Sequence, residues 1–198
     1  EYMIETALYN AVEERKLDKN VVVEMYGFGS FEEPHGYYIV QEKMDMDLAK
    51  FAKTISLGLA REHHEIYKDI RALKSSEVYR NFNAKVDEVM KQIHIMFSDL
   101  VRNLALLHSV GIYHSDIKPE NILIKALKEE GKFIAKFGDL GLSCYEDPMG
   151  RGGPNICSSA LFEGSSGTQT YLPPEYFLGE RMTEVEFKRY YDAWALGL

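Results

Sequence analysis

The chain has 198 residues, 45% of them hydrophobic and 27% charged. Those proportions fit an ordinary globular domain, long enough to bury a sizeable core. The formal net charge of −8 excludes a general affinity for nucleic acid or an anionic membrane, because phosphate surfaces attract basic proteins.

No apolar run approaches the length of a membrane span, and no secretory leader is visible. The two cysteines, Cys144 and Cys157, lie in one Gly/Ser-rich region. They have no metal-ligand spacing and form no disulfide framework, which points to a reducing, intracellular, cytoplasmic setting. The sequence stops at Leu198 inside a helix-like pattern, so it reads as part of a longer protein.

In chain order, Glu1 to about Glu14 reads as a helix, with Ile4, Leu8, Ala11 and Val12 at helical spacing. Val21-Val22-Val23 with Met25 and Tyr26 is strand-like, "GSFEEPHG" is turn material, and Tyr37 to Val40 is a second strand, so the pair predicts a hairpin. Asp47 to Leu59 reads as helical. Ala60 to Ala84 is charged and lacks a clear period, either helical or an excursion. Val86 to His108 predicts a long helix with Val89, Ile93, Met96, Phe97, Leu100, Leu104 and Leu107 on one side. Gly111 is its stop signal. Ile122 to Ile124 and Phe133 to Phe137 predict two short strands, Cys144 to Thr170 a long loop, and Glu184 to Leu198 a last helix.

The polar turn "HSDIKPEN" precedes the apolar Ile122-Leu123-Ile124. It sets Asp116, Lys118 and Asn121 at D-x-K-x-x-N spacing. Phosphoryl transfer needs an oxygen acceptor for a hydroxyl, a cation for phosphate charge and oxygen ligands for Mg2+. This turn offers one of each. Asp139-Leu140-Gly141 follows the next strand, where an aspartate can hold a metal and the glycine lets the backbone turn. "GTQTYLPPE" and "DAWALG" come next. Each element alone is modest; the plain alternatives are a polar loop with a capping Asp and, for Asp139, a turn in which an Asp precedes a Gly. Their order and spacing together are specific.

These four elements resemble the eukaryotic protein kinase superfamily: the catalytic loop (H-S-D for H-R-D), the metal-binding D-F-G (here D-L-G), the A-P-E (here P-P-E) and the D-x-W-x-x-G of the following helix. The likeness spans nearly the whole chain apart from about 60–84, which looks like an insertion. It implies an α+β, protein-kinase-like bilobal fold, truncated to a partial small lobe with its hinge over residues 1–44 and the mostly helical first half of a large lobe over 45–198. It further implies transfer of the ATP γ-phosphate to Ser/Thr hydroxyls of protein substrates, with Mg2+. Asp116 would accept the substrate proton, and Lys118 would steady the transferred phosphate. Thr168 would bond near both and suits serine/threonine specificity. Asn121 and Asp139 would bind Mg2+. Leu123 would lie under the adenine. Gln41 would be the gatekeeper, Glu42 and Met44 would offer hinge backbone groups, and Glu5 would pair with the nucleotide lysine. Asp192 would hold the His114 turn from below.

Departures accompany the likeness. Ser115 stands where the family has arginine, and Leu140 replaces phenylalanine. "GFGSFEEPHGYYIVQEK" imitates a glycine-rich loop with Lys43 as its nucleotide lysine. That alternative fails because Glu32 occupies the place of the third glycine, and because 47–85 contains no strand-like run to supply the rest of a small lobe. Two other functions compete. A pseudokinase acting as a binding or scaffolding module is opposed by the set Asp116, Lys118, Asn121 and Asp139. A small-molecule kinase is opposed by "GTQTYLPPE", which resembles a peptide-substrate platform.

Overall fold

The structure is a computed structural model, and it describes residues 17–18, 20–32, 36–70, 76–127, 132–146, 168–178 and 184–198. The expected first helix, with Glu5, lies outside the described residues, as does most of the 144–170 loop.

Strands β1 (Met25–Phe31) and β2 (Gly36–Gln41) form an antiparallel hairpin with a register irregularity between Met25 and Gly27. Gly29 opposes Tyr38 across it, and a Cβ at Gly29 would lie 2.5 Å from the Tyr38 ring. Only a residue without a side chain lets that ring cross the strand. The hairpin starts later than the valine run suggests. Val21, Val22 and Val23 are buried but bridge to Phe137 instead, with Val23 N donating to Phe137 O (2.8 Å) and Phe137 N to Val21 O (3.1 Å). Their apolar character serves the core around Phe137, not the hairpin. Lys43 is exposed in the turn after β2.

A second sheet orders β3 (Met46–Asp47), β5 (Ile122–Leu127) and β6 (Lys132–Phe137), all antiparallel. The short strands β4 (Ile112–Tyr113) and β7 (Cys144–Tyr145) pair as a third. Cys144 is buried and disulfide-bonded. This corrects the reading of the cysteines as lacking a disulfide: a Gly/Ser-rich segment has no periodicity from which such pairing could be read.

Helix α1 (Leu48–Ile70) is started by Asp47, whose Oδ1 accepts Lys50 N at 2.7 Å, an N-cap bond to the third helical residue. Helix α2 (Ser76–Ser109) follows. Both run further than the periodicity indicates, so 60–84 belongs largely to two helices. Their tips bury little beyond Ile66 and Phe82, and a helix without a buried stripe shows no apolar period. Glu62 on α1 pairs with Lys85 on α2. His63 lies against Tyr67, Tyr79 and Phe82, with ring centroids 5.7–6.5 Å apart.

The lower half of α2 is the spine of the core. Met96, Leu100, Leu104 and Leu107, at spacings of three and four, pack with Phe51, Ile112, Ile117, Ile122, Ile124, Phe137 and Leu140. Phe97, placed by sequence on this stripe, is 38% exposed. Gly111 ends α2 at φ 81, the left-handed geometry that glycine adopts without a Cβ penalty. Helices α3 (Pro174–Leu178) and α4 (Glu184–Gly197) complete the order, α4 packing against α2 and β4. Among the described residues no helix is long and apolar enough to cross a membrane.

Candidate active site

The turn from β4 to β5 is tied down from three directions. From below, Asp192 on α4, fully buried, accepts three donors: Ser115 N on Oδ1 (2.8 Å), and His114 N (2.8 Å) and His108 Nε2 (2.9 Å) on Oδ2. From the side, the His114 ring bonds Gly138 O through Nε2 (2.9 Å) and meets Asp116 N through Nδ1 (3.3 Å). Accepting the Asp116 amide leaves Nδ1 without a proton, so Nε2 carries it toward the carbonyl. From just before β7, Ser143 Oγ donates to His114 O at 3.0 Å. Ser115 occupies the left-handed region at φ 64.

This frame aims Asp116, which is 5% exposed. Its Oδ2 accepts Lys118 Nζ (2.7 Å) and Asn121 Nδ2 (2.9 Å), and its Oδ1 accepts Thr168 N (3.1 Å) and Thr168 Oγ1 (3.0 Å). Lys118 Nζ also donates to Thr168 Oγ1 at 3.1 Å. Burial opposes the charged carboxylate, yet the bonds from Lys118 and Thr168 outweigh it and hold its pKa below the usual aspartate range. The bond to Asp116 raises the Lys118 pKa against partial burial, with Asp139 adding to the field.

Asn121 spends its amide nitrogen on Asp116, bonding Oδ2 and the backbone O, both at 2.9 Å. Its Oδ1 is therefore the end that can face a cation. Asn121 O accepts Gly138 N at 2.9 Å, which sets Asp139 beside it, exposed and at φ 56. A Cβ on Gly138 would lie 3.0 Å from Leu123 Cδ1, so glycine allows β5 and the Asp139 turn to approach closely. An amide oxygen and a carboxylate fit Mg2+, a hard cation that takes few protein ligands and completes its shell with water and phosphate oxygens. Leu123, half-buried on β5, opposes Lys136. Gln41 is exposed at the end of β2, and Met44 is half-buried. Glu42 N donates to Glu24 O at 2.7 Å, so that amide is already taken up within the chain.

The motifs therefore bring together Asp116, Lys118, Asn121, Asp139 and Thr168. Sequence reasoning missed Tyr191, one residue before Asp192 and 3% exposed. Burial, then the Asp116 and Asp192 carboxylates, push its hydroxyl up to about 12, against a bond with the Thr168 backbone. Its place beside the D-A-W-A-L-G aspartate was the available signal. It also missed the side chain of Glu42, which bonds two lysines.

The protein kinase domain model matches residues 6–198, and the chain belongs to that family. It is 37% identical over 164 residues to a serine/threonine-protein kinase of Drosophila melanogaster, covering 82% of this chain and 20% of that protein. It is 31% identical over 112 residues to serine/threonine-protein kinase ksp1 of Schizosaccharomyces pombe, covering 56% and 20%. It is 34% identical over 122 residues to serine/threonine-protein kinase mos of Apteryx australis, covering 61% and 55%. The matched part thus spans 20% to 55% of these relatives.

Proposed function

We propose that the whole protein transfers the γ-phosphate of ATP to serine or threonine hydroxyls of protein substrates, using Mg2+. The observation that carries this reading is the buried Asp116 carboxylate, fixed by Lys118, Asn121 and Thr168, with Lys118 and Thr168 holding its pKa low.

An ionised carboxylate with a fixed direction accepts a hydrogen bond from an incoming hydroxyl and takes its proton as the oxygen attacks. Lys118, already charged and beside Asp116, supplies positive charge to the group in transfer. Thr168, bonded to both, keeps the two at a constant distance. Asn121 Oδ1 and Asp139 would hold Mg2+, which when bound neutralises phosphate charge and aligns the phosphate oxygens. Leu123, Gln41, Glu42 and Met44 would line the nucleotide site, with Glu5 the expected partner of a nucleotide lysine. Three relatives with serine/threonine kinase names support the hydroxyl class.

The test is Asp116→Ala in the whole protein. Phosphoryl transfer to a serine peptide should fall by roughly 10²–10⁴-fold, while Mg-ATP still binds by calorimetry. Near-normal turnover in the variant overturns the assignment. A wild-type protein that binds Mg-ATP and transfers nothing to any serine, threonine or tyrosine peptide assigns it a binding role instead.

A further inference from the structure

Glu42 stands where the chain leaves β2, in the segment expected to meet the adenine. Its carboxylate points inward. Oε1 accepts Lys125 Nζ at 2.7 Å and Oε2 accepts Lys136 Nζ at 2.5 Å. The side chains of Glu42 and Lys136 are 9% and 5% exposed, that of Lys125 39%. A lysine as buried as Lys136 is costly unless paired, and apolar residues hold two strands together at least as well. A buried charge pair fixes direction better than it adds stability.

The register shows what is being directed. Leu123 and Lys136 are directly opposed on β5 and β6, so their side chains share one face of the sheet. Lys125, two residues beyond Leu123, lies on that face as well. Glu42 therefore closes over the face that carries the expected adenine floor. The same segment is pinned at its other end. Asp45 N donates to Ile124 O (2.9 Å), and Asp45 Oδ2 accepts Ala126 N (2.8 Å). Among the described residues, the charged and titratable groups that act on the cluster include Lys125, Lys136 and, acting on Lys125, Tyr26 and Asp45. Burial works against the Glu42 carboxylate, and the two lysine bonds more than offset it, lowering its pKa.

We propose that Glu42 is a positioning residue for the nucleotide: its grip on Lys125 and Lys136 sets the distance between the 42–45 segment and the Leu123 face, and so the width of the adenine slot. This rests on the nucleotide-binding reading above. Lys136 lies three residues before Asp139, so the same grip ties the adenine end of the site to the strand that presents the metal aspartate.

The experiment compares wild type, Glu42→Gln and the double variant Glu42→Gln/Lys136→Met in the whole protein. Mg-ATP affinity is read by calorimetry, stability by thermal melting and turnover by peptide assay. Glu42→Gln should raise the Kd for Mg-ATP by about tenfold, the scale of one buried charge-assisted hydrogen bond. It should raise KM for ATP more than it lowers kcat, and it should lower Tm. The double variant, with the buried lysine charge removed too, should regain Tm without regaining affinity. Affinity that equals wild type in Glu42→Gln, or that returns together with Tm in the double variant, overturns the inference. Asp139→Asn separates it from the underlying reading. If that variant keeps full magnesium dependence while Glu42→Gln still loses affinity, the metal assignment fails and the positioning role stands. A wild-type protein that binds no Mg-ATP overturns both.

Discussion

The turn at 114–121 and the tips of α1 and α2 handle charge in opposite ways. In the turn, Asp116 is 5% exposed and accepts four donors, while Asp192 is fully buried and accepts three. At the helix tips, Glu62 and Lys85 pair with 37% and 56% of their side chains exposed, and Glu65 and Lys68 with 70% and 56%. A buried charge must be satisfied by fixed partners, so each partner dictates the next and one geometry results. Water satisfies an exposed charge almost as well as a partner does, so the tips tolerate many sequences. The first region is built for direction, the second for solvation.

Breaking the buried anchor should give the largest effect. Asp192→Ala strands two backbone N–H groups and the His108 Nε2 proton. Each unsatisfied buried donor costs about 1–3 kcal/mol, so the loss should be at least about 3 kcal/mol by denaturant unfolding. Transfer activity should fall with it, because the His114 turn aims Asp116. A variant that loses less than about 1 kcal/mol would show the turn to be held from elsewhere.

The contrast also has a pH signature. The Asp116 pKa is lowered in the folded protein, so its stabilising contribution is present above the unfolded value of about 3.9 and is lost as pH falls through the folded value. The Tm difference between wild type and Asp116→Asn should therefore stay constant from about pH 5 to 8 and shrink below about pH 4. Melting curves across that range check it; a difference that shrinks near pH 6 would mean the carboxylate is not held ionised.

How much of this was legible depends on how local the contacts are. Asp116, Lys118 and Asn121 lie within one turn, so their spacing alone brings them together. Thr168 meets Asp116 across 52 positions, and only the likeness to a family pointed to it. The Glu42 cluster was not legible, because it depends on the β5–β6 register and on the path of the chain after β2. Glu42 was read for its backbone alone. The tips of α1 and α2 were unclear for the reverse reason: a helix that faces water leaves no apolar stripe in its sequence. Val21 to Val23 misled because β-branched residues suit a core bridge as well as a ladder strand.

Ser115 sharpens the comparison from inside the buried region. It takes φ 64, is 1% exposed, and its Oγ has no hydrogen-bond partner among the described residues. Both features favour glycine, which removes the left-handed Cβ strain and the buried hydroxyl together. Ser115→Gly should raise stability by about 1 kcal/mol, the loss of strain exceeding the added chain entropy. Denaturant unfolding measures it. A destabilisation of that size would mean the hydroxyl is bonded within the folded protein.

The smallest effect belongs to the helix tips. Lys85→Met removes the Glu62 partner from a site where both side chains are more than one-third exposed. Water and counter-ions screen such a pair, and ordering two long side chains opposes it, so its worth is about 0–1 kcal/mol. The ring contacts of His63 with Tyr79 and Phe82 remain to join the helices. The variant should therefore melt within about 2 °C of wild type at physiological salt, and the gap should close at 1 M NaCl, where the Debye length is about 3 Å. Transfer activity should not change. A larger drop that survives high salt would show that the Glu62–Lys85 pair is shielded from solvent and ions, and the tips would then be built for direction like the turn they are contrasted with.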